Sequence, residues 1–102
     1  MIARMWRGQA EVSKADAYCR HFTTVVAPRL KDLPGHEGAY LLRRQTEGQV
    51  EFLALTLWDS IETIKGFAGP NPGMAMVKPE ARAVLSAFDD FARHYDVAYD
   101  GA

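Results

Sequence analysis

Residues 51–60 read EFLALTLWDS. Alternation would place Leu53, Leu55 and Leu57 on one face of a strand and Phe52, Ala54, Thr56 and Trp58 on the other. Both sets are largely apolar, which is the pattern of a strand covered on both sides. The chain has 102 residues, enough for one domain spanning 1–102 and one modest core. Whatever covers the second side must come from a short inventory of elements.

Residues 2–9 read as a first strand, with Ile2, Arg4 and Trp6 on one face and Ala3, Met5 and Arg7 on the other. Ser13 with Asp16 three residues on suggests a helix N-cap. Ala15, Tyr18, Phe22, Val25, Val26, Leu30 and Leu33 follow at helical spacing, and Pro28 should kink or divide that helix. Residues 38–45 and 50–58 form a hairpin turning at Gly48. Ser60 caps a short helix carrying Ile61, Ile64 and Phe67. The run GPNPG at 69–73 breaks the chain. Pro79 opens a third short helix with Ala81, Val84, Leu85 and Phe88 on one side, and residues 91–99 make the last strand.

The order is βαββαβ, which predicts an α+β, ferredoxin-like fold with a four-stranded antiparallel sheet. Right-handed crossovers put the helices on one face and leave the other bare. Phe52 and Trp58 are expected on the bare face, where they would expose roughly 300–500 Å². A patch of that size calls for a cover. A second copy placed face to face supplies one, so a homodimer is expected.

Twelve Lys and Arg against thirteen Asp and Glu leave a net charge of −1, with no electrostatic footprint for nucleic acid or an anionic membrane. No apolar run approaches the roughly 18 residues of a membrane span. The opening MIARMWRGQ lacks a signal-peptide core, so the mature chain is expected to start at or near Met1. A lone cysteine, Cys19, points to a reducing cytoplasm.

Four stretches carry a resemblance: MIARMWRG, PGHEGAYLLRR, VEFLALTLWDSIETIKGFAG and HYDVAY. Together they span nearly the whole chain, which resembles the antibiotic biosynthesis monooxygenase-like family of small bacterial proteins. The resemblance implies a dimeric α+β barrel with a pocket between sheet and helices in each subunit. Family activities are diverse. Some members oxidise aromatic polyketide quinols or anthrones with O₂ and neither metal nor flavin, and others degrade haem. The oxidising members use an asparagine four residues before the strand-end tryptophan, that tryptophan, and a tyrosine six residues after it. Here those places hold Ala54, Trp58 and Ile64. The haem degraders' asparagine, tryptophan and histidine fall on Arg7, Phe67 and Val77, so haem degradation is not expected and no cofactor is implied.

Within this frame, Arg7 is the candidate cation for a substrate enolate or phenolate, and His94 is the candidate base. Trp58, Phe52, Phe67 and Met76 are candidate walls for a flat aromatic ligand. Each has a structural alternative. Trp58 can fill space at a strand end, Arg7 can pair with a surface carboxylate, and His94 can be a satisfied core histidine. Met74 and Met76 can plug the core edge. His21 reads as a helix-flank residue. Cys19-x-His21 is too little for a metal site. Two functions follow: a cofactor-independent monooxygenase acting on a small aromatic quinol or anthrone, or a non-catalytic dimeric ligand-binding or stress-related protein of the same fold.

Overall fold

The computed structural model describes residues 1–101. Strand β1 (Ile2–Glu11) leads into helix α1 (Val12–His21), a π-helical turn (Phe22–Val26) and helix α2 (Ala27–Lys31). Strands β2 (His36–Thr46) and β3 (Gln49–Trp58) form the hairpin, and helix α3 (Ile61–Ala68) follows. The chain ends with α4 (Pro79–Arg82), β4 (Ala87–Phe88) and β5 (Arg93–Asp96). Every pairing is antiparallel, in the order β2-β3-β1-β4, with β5 also on β1. This is the strand order of a ferredoxin-like sheet. No helix among the described residues is long and apolar enough to cross a membrane.

Several local expectations hold. Gly48 turns the hairpin with φ 69°, a conformation that glycine adopts without steric cost. Ser60 caps α3, its hydroxyl accepting from the Thr63 amide at 3.4 Å. The first helix differs. It starts at Val12 with Glu11 at the cap and no side-chain cap bond, so Ser13 lies inside it. Pro28 does not divide the helix. The backbone stays right-handed helical through it, and the missing proline N–H is accommodated by the wider turn just upstream.

The last strand is the second difference. In place of one strand over 91–99, β4 and β5 share one edge of β1, and Asp89–Ala92 bulges out between them. The bulge is held from two directions. Trp6 Nε1 donates to the Asp89 carbonyl at 2.8 Å, and Ala75 N donates to the Asp90 carbonyl at 2.9 Å. These bonds compete with a regular ladder and win locally. The third helix is similarly cut to one turn, with Phe88 in β4.

The third difference concerns the sheet faces. Phe52 and Trp58 are fully buried, against the helices: the Tyr18 ring of α1 packs tilted on Phe52 with centroids 4.8 Å apart, and Ile64 and Ala68 of α3 join Trp58 in one cluster. They are therefore not on the bare face. Strand alternation defines two sets of residues but not which set the helices cover. The larger aromatic set takes the helix side because it buries more area. Register puts Met5, Arg7, Tyr40, Leu42, Leu53, Leu55, Leu57, Arg93 and Tyr95 on the open face.

Candidate functional site

The buried core is in two parts. One holds Trp6, Ala10, Ala15, Tyr18, Val50 and Phe52; the other holds Phe22, Leu30, Trp58, Ile64 and Ala68. A cavity lies at the seam. Its floor is Arg4 and Trp6 of β1 with Ala54 and Thr56 of β3. The helices contribute Tyr18, His21 and Phe22, and the mouth is formed by Phe67 and the segment Ala75–Lys78. It offers about 70 Å³ to water-sized groups and is open to solvent at the mouth, so it can enclose about one aromatic ring while a larger ligand extends outward.

Arg4 is the singular residue of this wall. It is 6% exposed, yet no carboxylate reaches it among the described residues. Its Nη2 donates to the Met74 carbonyl at 3.3 Å, and its Nε has no hydrogen-bond partner there. Burial pulls its pKa down to about 10, still well above neutrality, so it is a cation at pH 7. Its guanidinium lies 5.5 Å from the centre of the Phe67 ring, and that of Arg29 lies 5.1 Å from the same centre. Such cation–π contacts recover only part of what desolvation takes away.

The remaining polar groups differ in readiness. The Thr56 hydroxyl accepts from Trp58 Nε1 at 2.9 Å, which fixes its oxygen toward the core. The Tyr18 phenol is pushed up by burial and stays a neutral O–H. His21, half-buried 6.2 Å from the Tyr18 ring, is the one histidine in the wall. Among the described residues no three His, Cys, Asp or Glu side chains converge as metal ligands would.

Of the residues singled out in the sequence, Phe67 and Met76 stand in the cavity wall. Trp58 and Phe52 lie outside it. Trp58 is one layer behind, its ring 5.9 Å from Phe67. Arg7 points to the open face, where its Nε donates to Glu51 Oε2 at 2.6 Å. Three positions from Arg4, it has the opposite parity. His94 sits on edge strand β5 opposite Arg4. It does not line the cavity, and burial followed by the Arg4 charge lowers its pKa. Arg4 and His21 were missed. The signal for Arg4 was legible: it is the charge that shares a strand face with Trp6. His21 had only its place one residue before Phe22 on the helix stripe.

No protein-family model matches the chain, and no curated protein matches it in sequence. Solved structures do match. A Bacillus cereus protein assigned as an antibiotic biosynthesis monooxygenase is 16% identical with a TM-score of 0.70, over 99% of this chain and 94% of that one. The monooxygenase ActVA-Orf6 of Streptomyces coelicolor, in complex with nanaomycin D, is 13% identical with a TM-score of 0.63, over 99% and 88%. The chain has the antibiotic biosynthesis monooxygenase fold. The haem degrader MhuD of Mycobacterium tuberculosis, with two haems in its active site, shares this fold at 18% identity and a TM-score of 0.63, both chains covered fully. The monooxygenase fold thus hosts different chemistries, and the site must decide between them. The haem degraders' histidine is not matched: the position that the resemblance assigns to it holds Val77, in the cavity wall.

Proposed function

We propose that the chain is a monooxygenase that uses O₂ without metal or flavin and acts on a small aromatic quinol- or anthrone-type compound. The observation that carries this reading is Arg4: a buried cation with an unused donor, in the wall of an aromatic-lined cavity. A fixed cation in a dry site stabilises an anion forming on the substrate without reorganisation. Trp6, Tyr18, Phe22 and Phe67 supply aromatic walls for the ring.

The chemistry balances on O₂ alone. His21 takes a proton from the ring-activated CH₂, and Arg4 holds the resulting enolate oxygen. The electron-rich anion reduces O₂ and forms a C–O bond as a peroxide. The second C–H proton passes to the distal peroxide oxygen as the O–O bond breaks, which gives the ketone and hydroxide. His21 returns its proton to the departing hydroxide as water, so R₂CH₂ and O₂ become R₂C=O and H₂O. In this reading Arg4 and His21 take the roles first expected of Arg7 and His94.

Oxygen uptake with anthrone tests it. Uptake should fall at least tenfold in Arg4→Gln and His21→Ala, and wild-type uptake no faster than the uncatalysed rate would end the proposal. A second reading, a dimeric binding protein without turnover, is favoured by Ala54 and Ile64 at the places of the family's asparagine and tyrosine. The same measurement separates the two.

We also propose that a second copy covers the open face. Tyr40, Leu42 and Tyr95 are exposed there, and Glu51, Arg7 and Arg44 at one end carry both signs of charge. A face bearing both signs can meet itself across a twofold axis.

A further inference from the structure

No negative charge lines the cavity among the described residues. Arg4, Arg29, Lys78 and His21 line it with the neutral Tyr18 phenol, and among the described residues no aspartate or glutamate does, in a chain whose net charge is −1. Three other arginines show that carboxylates are available. Arg7 and Arg44 pair with Glu51 and Arg43 pairs with Asp16, at 2.6–3.1 Å. Arg4 and Arg29 instead donate to backbone carbonyls, of Met74 and Phe67. A carbonyl accepts a hydrogen bond but supplies no counter-charge. Nearly all of the Arg4 side chain is removed from water, and its Nε is left without a partner. Such a group is costly unless something brought into the site completes it.

A neutral quinol would complete it only while reacting. In the resting complex the cation would remain uncompensated. A planar guanidinium presents its donors as a fork matched to a carboxylate. We infer that the cavity's ligand is an aromatic acid: a single planar ring held by Trp6, Tyr18, Phe22 and Phe67, with a carboxylate on the Arg4 fork. This rests on the reading of the cavity as the substrate site, though not on the oxidation proposed for it. Arg29, at the same Phe67 ring, and Lys78 would draw an anion toward the mouth. A neutral ring of equal size gains only the apolar walls. Specificity then comes from the group the site would otherwise leave unpaired, which discriminates more sharply than a methylene in an apolar pocket.

The test compares 2-hydroxybenzoate with its methyl ester, using calorimetry as the readout on the full chain. The acid should bind at least tenfold more tightly than the ester. That preference should vanish in Arg4→Gln, persist in Arg7→Gln on the other face, and weaken with added salt. The wild-type comparison needs no variant to fold, and circular dichroism verifies those that are made. Equal affinity for acid and ester, or no binding of either at millimolar concentration, overturns the inference. If the acid binds and no quinol, anthrone or acid drives O₂ uptake, the oxygenase reading falls and this one stands. If neutral anthrone drives Arg4-dependent uptake while the acid shows no preference, the reverse holds.

Discussion

Arg4 and Arg7 lie on the same strand, three residues apart, and face opposite sides of the sheet. Arg7 is exposed and holds Glu51 at 2.6 Å. Arg4 is 6% exposed, lines the cavity and has no carboxylate partner among the described residues. The two guanidiniums are chemically identical. One is a solvated ion pair of small consequence, and the other is a desolvated charge that the fold carries as a liability unless a ligand uses it.

That liability can be measured. A pKa lowered from 12.5 to about 10 corresponds to roughly 3 kcal/mol of unfavourable burial. Arg4→Met keeps much of the apolar stem and removes the charge. Denaturation in urea should show it more stable than wild type by about 1–3 kcal/mol, with ligand binding and oxygen uptake lost. Gain of stability together with loss of function is the signature of a site kept strained for use. A variant destabilised by more than about 1 kcal/mol would show that Arg4 is a structural prop instead.

The acid limb of stability should report on His94. Burial, and secondly the Arg4 charge, place its folded pKa below its ordinary value of 6.5. The unfolded chain therefore takes up this proton more readily than the folded one. The stability associated with a neutral His94 is complete above 6.5 and declines as pH falls from 6.5 to the folded pKa. Glu51, held below 4.5 first by its hydrogen bond from Arg7, loses its own contribution only at lower pH. Urea midpoints between about pH 5 and pH 7.5 should fall on acidification in wild type and stay flatter in His94→Gln. Parallel profiles would remove His94 from this role.

The open face makes a prediction about mass. Leu55 lies mid-strand there, between Met5 of β1 and Tyr40 of β2. Sedimentation at micromolar concentration should give a particle twice the 11.4 kDa of one chain. Leu55→Asp should shift it to the monomer, because two carboxylates would meet in an apolar contact. A wild-type particle of 11.4 kDa would leave the exposed face without its proposed cover.

The amino-acid sequence by itself determined what depends on neighbours along the chain. The hairpin turning at Gly48, the Ser60 cap, the break at 69–73 and the two apolar faces of residues 51–58 follow from spacing and from local backbone chemistry. The strand order follows from the succession of those elements. Only the tertiary structure decided which face the helices take, and with it everything about the site. A strand of period two specifies two faces but treats them alike, so Phe52 and Trp58 could be read toward the open side, and Arg7 in place of Arg4 toward a pocket. Packing breaks that symmetry, because the helices settle on the side that buries the larger rings. The break in the last strand is of the same kind. The Asp89 carbonyl bonds the indole of Trp6, 83 residues away in sequence and adjacent only after folding.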